Sequence, residues 1–123
     1  MRPLLLMLLA LGACQAKPGP PTIPAGLVPP LHALGTEPFW SVDLRDGRLT
    51  ITRPDHAAVS GAATLVQTAA NSALWEATAA DGRTVRLAVT VASCSDGMSD
   101  RTYPFSVDLR VGTEALKGCA ARG

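Results

Sequence analysis

The stretch Cys94 to Phe105, "CSDGMSDRTYPF", packs a cysteine, two aspartates, a methionine and an arginine into one short segment. Three chemistries are open to it: acid–base work by Asp96 and Asp100, a metal cradle, or recognition by an exposed loop. Acid–base work needs one carboxyl that holds its proton near neutral pH, and two carboxylates in an exposed loop beside Arg101 stay ionised instead. A calcium loop of the EF type needs more oxygen ligands and a closing glutamate. Zinc needs three or four convergent ligands. Neither His32, in a proline-rich stretch, nor His56, after "RPD", is placed by pattern beside a cysteine. The chain also has no G-x-S-x-G elbow, placed serine–histidine pair, H-E-x-x-H or glycine-rich phosphate loop. The expectation is therefore no enzyme, no metal and no cofactor. Recognition remains, with Glu37 and Trp40 of "GTEPFW" joining Asp96, Met98, Asp100 and Arg101 on one surface, since chemically rich loops on rigid sheets commonly carry binding. A purely structural reading stands beside it. In that reading Asp96–Gly97 turns the chain, Asp100 satisfies local amides, and Arg101 pairs with an aspartate.

The elements that would hold this segment alternate with period two, the spacing of half-buried strands. In "FWSVDLR" Trp40, Val42 and Leu44 share one face, and Asp46–Gly47 then supplies a hairpin turn into "RLTITR", with Leu49 and Ile51 inward. "RPDHAAVSG" reads as a loop. A second Asp-Gly turn, Asp81–Gly82, precedes the alternating Val85, Leu87, Val89 and Val91, and "FSVDLRVG" repeats the device with Phe105, Val107, Leu109 and Val111. The segment Cys94 to Phe105 is thus a hairpin connection of about ten residues. Residues 62–80 are rich in alanine and fit neither period well; two strands turning near Asn71–Ser72 are favoured over a single helix. "SVDLR" occurs at Ser41 to Arg45 and again at Ser106 to Arg110, either as a trace of hairpin duplication or as two strands answering one pattern. The fold expected is mainly β: a small antiparallel barrel or compact sandwich with meander connectivity.

The amino terminus, "MRPLLLMLLALGACQA", has one positive charge, an apolar run too short to span a bilayer, and then Cys14. "LGAC" resembles the lipobox of bacterial lipoproteins, in which cleavage leaves the lipidated cysteine first. An ordinary signal, cut near "CQA" with Cys14 discarded, is the alternative. Gln15 rather than aspartate follows, which in that pattern favours the outer membrane, and several acyl chains on one residue anchor stably. Six of the ten prolines fall in "QAKPGPPTIPAGLVPPLHALG", which reads as an extended spacer. The division expected is a signal peptide over residues 1–13, lipidated Cys14 and spacer over 14–34, and a periplasmic β-domain over 35–123. A net charge of +1 with no block of like charge offers nothing to a nucleic-acid backbone. With Cys14 lipidated, Cys94 and Cys119 form an even pair in an oxidising compartment, and one disulfide is the default, against a reactive or metal-binding thiol pair.

"GTEPFWSVDL" and "CSDGMSDRTYPFSVDLRVGTEALKGCA" together resemble a group of small envelope lipoproteins of Gram-negative bacteria. These share a G-T/N-E-P-F-W opening, a C-S-D-G-M-S-D-R-x-Y-P-F closing and a terminal G-C-A. The resemblance covers Gly35 to Ala120 and carries no established activity. It implies an envelope location, one β-rich domain and the pairing of Cys94 with Cys119. The function expected is a lipoprotein held by Cys14 on the periplasmic face of the outer membrane, whose domain binds an envelope or secreted partner. A lysozyme-inhibitor-like protein and a purely structural envelope component are the alternatives.

Overall fold

The computed structural model describes residues 22–123; the expected lipidation site Cys14, the expected signal peptide and the first part of the expected spacer lie outside them. A single 3-10 turn, Ala25–Leu27, precedes nine strands: β1 Leu31–Thr36, β2 Phe39–Arg45, β3 Arg48–Thr52, β4 Val59–Ala62, β5 Thr64–Ala69, β6 Ser72–Thr78, β7 Thr84–Ser95, β8 Thr102–Val111 and β9 Glu114–Arg122. They form one antiparallel sheet in the order β4-β3-β2-β1-β9-β8-β7-β6-β5. Each strand pairs with its neighbours in sequence except that β4 and β5 do not pair with each other, and the pairing of β1 with β9 joins the two ends of the chain. The sheet curls into a nearly closed barrel. Only Ala63 separates β4, which pairs with β3, from β5, which pairs with β6, so the stretch 59–69 serves both ends of the sheet. Gly61 of β4 packs so close to the end of β6 that a Cβ there would stand 2.6 Å from the Thr78 carbonyl oxygen.

The alternating residues point inward as their period requires. Trp40, Val42, Leu44, Leu49, Ile51, Val85, Leu87, Val89, Phe105, Val107, Leu109 and Val111 are all buried in one core. Asp46 and Gly47 both take positive φ (52° and 72°), the conformation of the tight hairpin turn that joins β2 to β3. The two "SVDLR" copies lie in β2 and β8 with the same alternation of inward Val and Leu against outward Asp and Arg. Among the described residues no polar or charged side chain is buried. The interior is a packed apolar core, and recognition by polar groups falls to the surface.

Three expectations need correction. The domain begins before Gly35: β1 starts at Leu31, its Leu31 and Ala33 face the core, and Leu27 of the 3-10 turn is fully buried. The prolines Pro24, Pro29 and Pro30 flank this segment rather than interrupt its ladder, so they do not prevent pairing. His32 accordingly lies in β1, not in a spacer, with Nδ1 2.8 Å from Asp43 Oδ1. The stretch read as a loop after Arg53 ends in β4. The alanine-rich middle is two strands, β5 and β6, as favoured, with the turn at Ala70 and Asn71.

Candidate binding surface

β7 runs past the regular ladder. Between Val91 and Cys94 it carries one extra residue, a bulge set opposite Pro104, which has no N–H to give the ladder. Val91 still pairs with the buried Phe105 on the inward face, yet at this last regular pair before the bulge it is exposed rather than buried. Beyond the bulge Cys94 pairs with Tyr103 and Ser95 with Thr102, leaving a connection of residues 96–101, shorter than expected. The bulge lets the strand end reach the last strand: Cys94 is disulfide-bonded to Cys119, with Cα atoms 5.6 Å apart. Cys119 lies on the face of β9 opposite Ala120, which is in the core, and is itself buried.

Inside the connection Asp96 organises the backbone. Its Oδ1 accepts from the Met98 amide (2.9 Å) and the Ser99 amide (2.8 Å), and its Oδ2 from the Ser99 hydroxyl (2.8 Å). These donors, the Ser99 amide first, hold the Asp96 carboxyl below the ordinary aspartate value. The Ser95 hydroxyl accepts from the Gly97 amide, and Gly97 takes φ 76°. The amide-satisfying role expected of Asp100 therefore belongs to Asp96, which lies at the start of the turn where its side chain reaches forward. Arg101 pairs with neither aspartate among the described residues. Its guanidinium lies 5.4 Å from the centroid of the Tyr103 ring, a cation–π arrangement.

The second motif divides in two. Trp40, expected on the surface, is 3% exposed and belongs to the core, because the alternation that buries Val42 and Leu44 buries it too. Its exposed neighbour is Phe39, at 53%, a surface residue the sequence reading passed over although the same alternation places it outward. Glu37 lies in the β1–β2 turn and borders a groove of about 710 Å³ with Arg86, Arg110 and Lys117. The two motifs do meet: the Thr36 hydroxyl donates to the Asp96 carbonyl at 3.1 Å. Lys117 links the two regions, since it also borders a smaller cleft of about 220 Å³ with Thr36 and Asp96.

A further cleft of about 280 Å³ lies among Ile51, Arg53, His56, Asp81 and Arg83. Its guanidinium groups are occupied: Arg53 with Glu114 at 2.6 Å and Arg83 with Asp81 at 2.7 Å. The Arg53 contact raises the Arg53 pKa and lowers that of Glu114 through their hydrogen bond. Comparison with protein-family models, with curated proteins and with solved structures finds no match in any of the three.

Proposed function

We propose that this chain is an outer-membrane lipoprotein, anchored through lipid on Cys14, whose β-domain binds an envelope or secreted partner without catalysis. The observation that carries the reading is the state of the Cys94 to Phe105 tip. Its β7 side is tied down twice, by the Cys94–Cys119 disulfide and by the Thr36–Asp96 hydrogen bond, while Met98 at its apex is 67% exposed. A loop already ordered in this way loses little conformational freedom on binding. Methionine suits an adaptable apolar contact, with Asp100 and Arg101 beside it for polar ones. Asp96, saturated with donors and held ionised, is unsuited to giving up or taking a proton. A lysozyme-inhibitor-like role calls for a loop that protrudes into a cleft, and a tip fastened against β9 and β1 does not favour it.

The test is in-cell crosslinking of wild type against the double variant Met98→Asp, Arg101→Glu, with thermal unfolding as the control for folding. Loss of a specific crosslinked neighbour in a folded variant supports the reading. An unchanged set of neighbours sinks the surface. Fatty-acid labelling of wild type but not of Cys14→Ser checks the anchor separately.

A further inference from the structure

From Ala57 to Trp75 the chain contains no Asp, Glu, Lys, Arg or Pro. That stretch holds β4 and β5, the two strands at the ends of the sheet order. Natural edge strands are normally blunted by charge, proline or cover, because a row of unpaired amides and carbonyls invites another strand. For β4 the cover is present, since Gly61 abuts the end of β6. For β5 it is not. Before β5 the Ala63 amide donates to the Gly47 carbonyl at 2.9 Å. From Thr64 to Ala69 the strand pairs on one side only, with β6, and no described residue bonds to its other edge. Thr64, Val66, Gln67, Ala69 and, beyond the strand, Ala70 and Asn71 are exposed.

We propose that two copies of the chain meet at this edge, β5 against β5, antiparallel about a two-fold axis. A two-fold contact sets a strand against itself, so any charge on it would face a like charge on its partner. An uncharged strand escapes that penalty, and a net charge of +1 adds little repulsion at longer range. The proline-rich residues before the domain are a poor occupant, because their prolines lack the amide that the ladder requires. A shift in register between Leu65 and Gln67 leaves Val66 unpaired and bends the strand, so the usable edge is the half from Gln67 onward. A contact this short makes a weak dimer rather than an obligate one.

The full chain, purified in a non-ionic detergent, is to be sized by light scattering at concentrations rising to about 1 mM, the weak end of the affinity range. A monomer–dimer equilibrium is expected, weakened at least tenfold by Gln67→Lys, a change at an exposed position that leaves thermal unfolding nearly unaltered. Oxidation of Gln67→Cys should trap a covalent dimer, and oxidation of Asp43→Cys, on the outer face of β2, should not. A chain that stays monomeric throughout overturns the proposal. So does a dimer indifferent to Gln67→Lys, or crosslinking equal at both positions, which marks chains merely sharing a micelle.

Discussion

Trp40 stands directly across the β1–β2 ladder from Gly35, and its indole fills the space that a side chain at Gly35 would need. Gly118 of β9 completes the slot: a Cβ there would lie 2.7 Å from Trp40 Cζ2 and would collide with the Leu34 carbonyl. Two glycines from distant parts of the chain thus make room for one large core residue. "GTEPFW" and the terminal "GCA" meet through packing rather than through a shared ligand.

It follows that Gly35→Ala and Gly118→Ala overpack the barrel, each costing about 1–3 kcal/mol, while Trp40→Ala empties it and costs about 3–5 kcal/mol. Urea unfolding followed by circular dichroism measures all three. A Trp40→Ala domain as stable as wild type, yet deficient in partner crosslinking, would return Trp40 to the recognition surface.

The buried Leu27 makes the residues before β1 part of the fold. Leu27→Ala should cost about 2–5 kcal/mol, as for other fully buried leucines. Deleting everything before Gly35 is more severe, because it removes most of the strand that joins β2 to β9. That truncation should show no cooperative unfolding, whereas one beginning at Thr22 should unfold in a single transition. A stable, cooperative domain starting at Gly35 would contradict this boundary.

Legibility of the chain follows the size of its inward side chains. Trp40, Val42 and Leu44 in β2, or Val85, Leu87 and Val89 in β7, alternate with polar or small residues so strongly that the strand and its face can be read directly. In β1 the inward set is Leu31, Ala33 and Gly35, and the last has no side chain because the Trp40 indole fills that space. The hydrophobic signal fades there for the same reason that the packing works, and the flanking prolines complete the disguise. β5 is obscure for another reason: exposed along one edge and bulged at Val66, it has no fully buried side to impose a period. The Cys94 to Phe105 hairpin and its disulfide were legible, but the division of labour within it was not. Which aspartate caps the turn depends on backbone angles at Gly97, and Arg101 finds an aromatic face that lies two residues away along an extended strand.

The disulfide closes a loop of sequence separation 25, and its removal should cost the domain roughly 3.5 kcal/mol by the loop-entropy estimate. The loss should be uneven. Val85, Leu87 and Val89 remain locked in the core, whereas the strand end beyond the bulge is held to β9 by the disulfide and to β1 by the Thr36–Asp96 bond. In Cys119→Ser, hydrogen exchange should therefore quicken from Cys94 to Tyr103 well before it does at Val85 to Val89. Equal quickening in both segments would show that the bridge stabilises the barrel as a whole and does not serve chiefly to fasten the tip. Two freely alkylated thiols in protein taken from cells would remove the bridge altogether and reopen a metal role for the pair.

Protonation offers a way to unfasten the same tip without mutation. The Asp96 carboxylate accepts from the Met98 and Ser99 amides and the Ser99 hydroxyl, which favours its charged form, so its pKa in the folded chain lies below the ordinary aspartate value of about 3.9. The stabilisation it lends the turn is therefore fully present above that ordinary value and is lost as the pH falls through the lower, folded-state one. Amide protons bonded to a carboxylate report its charge directly. In a pH titration by nuclear magnetic resonance, the Met98 and Ser99 amide shifts should move together, with one midpoint below the ordinary value, and the loop should lose order over the same range. Asp96→Asn retains an acceptor oxygen but no charge, so in that variant the two amides should stop titrating together. A shared midpoint at or above the ordinary value, or amides that titrate independently, would mean that Asp96 does not hold the turn, and the rigid presentation of Met98 would lose its support.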